Sequence, residues 1–226
     1  MGTELEITLP DEVPVMTLPN IAFFPQALLP LHVFEPRYRT MLVEVLASNR
    51  LMAVAGIDPR GIVADEPICK VAGVGIVRAC QGKEDGTSDL LIQGLCRVEV
   101  VGVAAEKPFR RIQIRALASE PGAGKAENQR LREELARLLR LKAKLSTSNG
   151  EELNRFLKTI DDPETFVDIA AFSLCENPQL KQKLLETLDV HRRMGLFSQQ
   201  LRSEISSLRL QKQLQGEISD EKIGEN

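Results

Sequence analysis

The chain has no tryptophan, one tyrosine and two histidines in 226 residues, and aromatic side chains make up only 4% of it. Single-strand nucleic-acid binders stack bases on aromatic rings and neutralise phosphates with a basic excess. Here the net charge is −3, and acidic and basic residues are balanced in both halves, so nucleic acid is not an expected partner. No apolar run approaches the length of a membrane span. No charged-then-apolar leader opens the chain, and position 6 is Glu6, where a myristoylation signal after Gly2 needs Ser or Thr. No membrane association is expected, and the expected location is cytoplasmic. Cysteine is scarce as well. Cys69, Cys80, Cys96 and Cys175 include no C-x-x-C pair, and His32 and His191 lie far from them in sequence. Structural metal sites need clustered ligands, so no metal is expected, and the thiols read as free and buried in a reducing compartment.

Cofactor loops are missing too. Gly124-Lys125 has Ser119 five positions before its glycine and Ala126 after its lysine, where a phosphate loop needs glycine and a hydroxyl. Gly73-x-Gly75 is followed by Arg78 where a dinucleotide fingerprint has its third glycine. His32 and Glu35 make an acid/base pair on paper, but no nucleophile or metal motif accompanies them. A structural His32 bonded to its loop backbone is the plainer reading. The chain is therefore expected to be non-catalytic and free of cofactors.

What is present is an ordinary globular composition, 43% hydrophobic and 27% charged. Its most unusual stretch is LPNIAFFPQALLPLHVFEPRYR, residues 18–39, apolar yet broken by Pro19, Pro25, Pro30 and Pro36. Proline fixes φ and removes a donor, so this segment must be extended, edge-like and kinked. From Pro36 the spacing of Tyr38, Met41, Leu42, Val45 and Leu46 predicts a helix to about Ser48, with Pro at its first turn. Val13–Leu18, Leu51–Ile57, Val71–Ala79, Asp89–Val103 and Phe109–Leu117 read as strands. Asp58-Pro59-Arg60-Gly61 and the tip 82–86, with its Asp85-Gly86 pair, read as turns. Gly94, inside a strand, predicts a bulge or sharp bend.

Helical spacing takes over after the break at 120–124. One helix is expected over 125–145, ended by Asn149-Gly150, and a shorter one around Leu153–Ile160. Another opens at Pro163 with Asp161 or Asp162 as cap, and a further one at Asn177-Pro178. A long final helix follows the cap Asp189. Its stripe Val190, Met194, Phe197, Leu201, Ile205, Leu208 either packs on neighbouring helices or forms a coiled-coil arm. The fold class is α+β: strands with one early helix over 1–119, a helical subdomain over 125–214, and a disordered tail over 215–226.

Four blocks carry a family resemblance. The proline-rich stretch comes first. LMAVAGID (51–58) and VAGVGIVRACQGKEDGTSDLLIQGLCRVEVV (71–101) follow, and DIAAFSLCENPQLKQKLLETLDVHRRM (168–194) completes the set. In this order they resemble the N-terminal, substrate-binding domain of Lon proteases over roughly residues 13–212. The resemblance implies a PUA-like β-barrel followed by a helical bundle. It also implies a stand-alone module, since no block resembles the Lon ATPase or its Ser/Lys protease domain. It implies a role in binding unfolded or degron-bearing polypeptides in a groove between the barrel and the helical part. A protease or chaperone would be the wider partner, and weak self-association is compatible with it.

The candidate polypeptide-binding residues are Phe23, Phe24, Leu28, Leu29, Leu31 and Phe34, with Glu35, Arg37 and Tyr38 beside them. Six apolar side chains on a kinked chain cannot all face inward, and exposed apolar patches mark interaction sites. The bland reading is that the segment covers the core and that Arg37 pairs with Glu35. Two rivals are a peptidase-associated regulator and an RNA-binding PUA-like module, the latter by fold analogy alone.

Overall fold

The computed structural model describes residues 8–58, 67–146 and 151–221. Pro59–Gly61 of the expected turn and the expected break at Asn149-Gly150 lie outside these residues. The fold is α+β, with six strands in one sheet and six helices among the described residues.

The strands are β1 (Glu12–Leu18), β2 (Leu28–Val33), β3 (Leu51–Gly56), β4 (Val71–Gly82), β5 (Ser88–Ala105) and β6 (Arg111–Leu117), and α1 (Pro36–Ala47) lies between β2 and β3. Their order is β2-β5-β4-β3-β1-β6, and β5 also pairs with β6. That last pairing closes β5, β4, β3, β1 and β6 into a hydrogen-bonded ring and leaves β2 attached outside it. The 18-residue β5 makes this possible. Its first half, Ser88–Gln93, pairs with β2, and its second half, Arg97–Ala105, pairs with β6. Pro30 is tolerated because β2 is a terminal strand that need not donate on both sides. β1 and β3 run parallel, as a crossover through α1 requires.

Small and β-branched residues fill the interior of the ring. Val13, Val15, Ala53, Ala55, Val74 and Ile112 are buried together. The β4–β5 register shifts between Val74 and Gly75, which pair with Cys96 and Gly94, so Leu95 bulges out next to Gly94 as expected.

The remaining helices are α2 (Lys125–Leu145), α3 (Glu151–Leu157), α4 (Pro163–Leu174), α5 (Pro178–Glu186) and α6 (Val190–Glu221). Their starts follow the expected caps. Asp162 Oδ2 accepts from the Thr165 amide at 2.8 Å, Asn177 Oδ1 from Leu180 at 2.9 Å and Asp189 Oδ1 from Arg192 at 2.8 Å.

By their contacts the residues form two units, 1–119 with 171–188 and 120–170 with 189–226. The helical part expected over 125–214 is thus divided, because residues 171–188 are held by the sheet. Phe172 packs edge-on against Phe23 with ring centroids 6.3 Å apart, Arg97 Nε donates to the Leu185 carbonyl at 3.0 Å, and Gln182 Nε2 donates to the Val71 carbonyl at 3.0 Å. In the other unit α2 packs along α6. Val190, Met194, Phe197, Leu201 and Ile205 are all buried, so this part of the stripe is core. Arg193 and Asp168 form a buried pair at 2.7 Å in the same unit. Helix α6 runs on to Glu221, through residues expected to be a disordered tail. Its length is about 48 Å at 1.5 Å per residue.

Candidate functional site

The proline-rich segment splits into two halves with opposite roles. Ile21 to Ala27 lies against the backbones of β3, β4 and β5 where these carry glycine. A Cβ on Gly56 would sit 2.6 Å from the Ile21 carbonyl oxygen, and one on Gly73 or Gly94 would overlap the carbonyl of Phe23 or Phe24. These glycines let the segment settle on the strands, which buries both rings completely. The Arg97 guanidinium, itself buried, lies 5.5 Å from the centre of the Phe24 ring.

The expectation that Phe23 and Phe24 belong to an exposed patch is therefore corrected: they are core. Leu29 is also buried, on the inward face of β2. Tyr38 is an internal anchor. Its hydroxyl donates to the Thr17 carbonyl and accepts from the Thr17 amide, both at 3.1 Å.

The second half is different. Along β2 the side chains alternate, so Leu28, Pro30 and His32 are exposed while Leu29 and Val33 point inward. Phe34 continues the outward row. Leu28 is 53% exposed and Phe34 60%, Leu31 is half-buried, and Leu91 lies opposite Pro30 on β5. Among the described residues β2 pairs only with β5, so its other edge carries no strand.

Polar groups flank this row. At one end Arg78 Nε donates to Gln93 Oε1 at 2.8 Å, and Gln93 Nε2 donates to Gln26 Oε1 at 3.3 Å. At the other, Asp89 bonds His32 Nδ1 at 2.6 Å and Lys83 Nζ at 2.8 Å. The Lys83 bond, then the His32 bond, holds the Asp89 carboxyl below the usual carboxylate range. His32 thus bonds a side chain across the strands rather than its own loop backbone. Glu35 accepts from Arg37 Nε at 3.0 Å, and the Arg37 guanidinium lies 4.6 Å over the Tyr38 ring, so these charges serve the loop itself.

A second feature was not legible from the chain. A cavity of about 600 Å³ opens where the β1–β2 connection, the end of β3 and α5 meet. Its walls include Ile21, Ile57, Cys69, Pro178, Gln182 and Lys183. Gln182 donates to Val71 and to Glu186 Oε1 at 2.8 Å, while its own Oε1 is buried without a hydrogen-bond partner among the described residues. No periodicity links residues 19–21, 56–58, 69 and 178–186, so only the tertiary fold assembles this wall.

The four cysteines form no disulfide among the described residues. Cys69 and Cys175 are buried, whereas Cys80 and Cys96 are only half-buried. Burial pushes the Cys96 thiol above its ordinary pKa. Among the described residues no three His, Cys, Asp or Glu side chains cluster as metal ligands. No helix among them is long and apolar enough to cross a membrane.

The fold is shared with solved structures. The N-terminal domain of a Mycobacterium avium complex Lon protease superposes with a TM-score of 0.66 at 17% identity, covering 86% of this chain and 98% of that one. A Lon N-terminal domain protein from Xanthomonas campestris gives 0.58 at 19% identity, covering 81% and 95%. In sequence, 94% of the chain aligns at 23% identity with the Lon protease of Desulfosudis oleivorans and at 26% with that of Dictyoglomus thermophilum. The chain spans only 26% and 27% of those two proteins. The family model for the ATP-dependent protease La (LON) substrate-binding domain matches residues 12–203, and the chain belongs to that family.

Proposed function

We propose that this protein is a non-catalytic, cofactor-free module that recognises unfolded or degron-bearing polypeptides through the outward row of Leu28 and Pro30 on β2 and Phe34 just beyond its end. The observation that carries this reading is the exposure of Leu28 and Phe34 along a strand whose outer edge is unpaired among the described residues. Membership of a substrate-binding family supports it. An extended apolar segment laid beside β2 would bury these side chains and meet main-chain groups of the edge, while Pro30, lacking an N–H, limits how far a ladder can extend. Affinity is modest because a flexible partner loses entropy on binding. The module acts in the cytoplasm, beside a protease or chaperone that processes what it holds.

The test is fluorescence anisotropy of a labelled, permanently unfolded polypeptide, without ATP, at low and high salt. Saturable, salt-insensitive binding is expected. Leu28→Ser with Phe34→Ser should weaken it roughly tenfold, about 1.4 kcal/mol, with an unchanged melting curve. Phe24→Asp is no substitute, since it places a charge in the core and unfolds the protein. Unchanged affinity in the folded double variant refutes this surface.

A further inference from the structure

Beside α1 lies a groove of about 420 Å³, separate from the outward row of β2. Pro36, Leu42, Val43 and Leu46 supply its apolar wall, and Gly86 and Ser88 of the β4–β5 hairpin face them. Leu42 is buried, whereas Val43 is 72% exposed. Pro36 is exposed as well and Leu46 half-buried, so the apolar wall as a whole stands open to a partner.

One cation lines this groove. The Arg39 guanidinium rests against Gly86, where a Cβ would overlap Arg39 Nη2 and where φ is +80°. The φ of +80° favours glycine there, while the end of Arg39 could itself move aside. Among the described residues the Arg39 side chain makes no hydrogen bond or ion pair, unlike that of its neighbour Arg37 on Glu35. Two acids of the hairpin are already engaged, and the third, Glu84, makes no ion pair with Arg39 among the described residues. Asp85 accepts from the Thr87 amide at 2.9 Å and hydroxyl at 2.7 Å, and Asp89 is held by Lys83 and His32. The groove therefore joins an apolar wall to a guanidinium that makes no ion pair among the described residues.

We infer that this groove receives the C-terminal end of an apolar polypeptide, with Arg39 pairing its terminal carboxylate and Val43 and Leu46 covering the last side chains. The inference rests on the polypeptide-binding reading above and adds a preference for chain ends. A planar guanidinium matches a carboxylate in two parallel hydrogen bonds. An apolar side chain and a carboxylate on one residue occur together at the C-terminus of a chain, whereas an internal apolar residue lacks the charge.

The experiment uses the full chain and a fluorescein-labelled short peptide ending in two leucines, made with a free carboxylate or amidated. The free acid should bind roughly fivefold more tightly, the upper end for a partly exposed ion pair, and salt should narrow the gap. Arg39→Gln, exposed and so tolerated by the fold, should bind both peptides equally. Equal affinity of acid and amide for the unaltered protein overturns the inference, as does failure of both peptides alongside good binding of the unfolded polypeptide. Loss of the unfolded polypeptide as well sinks the broader reading too. A gap that persists in Arg39→Gln removes Arg39 from the site.

Discussion

The Gly94 amide donates to the Ala27 carbonyl at 2.9 Å, and the Gly94 carbonyl accepts from Gln26 at the same distance. This stitches the Phe24–Ala27 turn onto β5 with no room for a side chain between them. A Cβ on Gly94 would overlap the Phe24 carbonyl oxygen. Gly94→Ala should therefore destabilise the protein by about 1–3 kcal/mol, the cost of forcing packed backbone apart. Urea unfolding measures it, and a midpoint equal to the parent protein's would mean that the turn moves freely.

Arg193 and Asp168 are both buried, with Glu164 3.8 Å from the same Arg193 nitrogen. Removing the Asp168 charge leaves the buried Arg193 with the longer contact to the partly exposed Glu164. Asp168→Asn should cost about 3 kcal/mol or more, whereas Asp168→Asn combined with Arg193→Met should recover much of the loss. Additive losses in a double-mutant cycle would show that the two side chains are not coupled.

The Lys181 ammonium donates to the Phe172 carbonyl at 2.8 Å and is half-buried. Burial lowers its pKa below the ordinary 10.5, with Cys175 acting weakly in the other direction. A cation whose folded pKa is depressed opposes folding while charged, so the folded state binds fewer protons than the unfolded chain just below pH 10.5. Stability should rise with pH through that window. The Cys96 thiol is pushed upward from 9.0 and acts with the opposite sign at alkaline pH. The measurement is therefore a difference: urea stability from pH 8 to 10.5 for the parent protein and for Lys181→Met. The parent should gain relative to the variant as pH rises, and parallel curves would contradict the burial of this charge.

Much of the architecture is local and was legible in the chain. Pro36 at a first helical turn, Asp162, Asn177 and Asp189 as caps, the Asp85-Gly86 tip and the bulge beside Gly94 each depend on a few neighbouring residues. A single side chain or a fixed φ decides such features, so spacing and residue type are sufficient. The division of the chain was harder. The stretch 171–188 has helical spacing like its neighbours, and tertiary contacts such as Phe172 against Phe23, Arg97 on the Leu185 carbonyl and Gln182 on the Val71 carbonyl assign it to the sheet.

The sequence by itself determined the α+β class, the family blocks, most element boundaries and the presence of a kinked apolar ridge. It could not tell which side of that ridge faces water. Phe23, Phe24, Leu28 and Phe34 are equally apolar, and burial depends on what approaches from elsewhere in the chain. Glycines at 73, 75 and 94 clear the space that receives Phe23 and Phe24, while among the described residues β5 alone pairs with β2 and leaves Leu28 and Phe34 outside. The cavity under α5 and the Arg39–Gly86 contact arise in the same way, from segments that meet only when the strand ring closes.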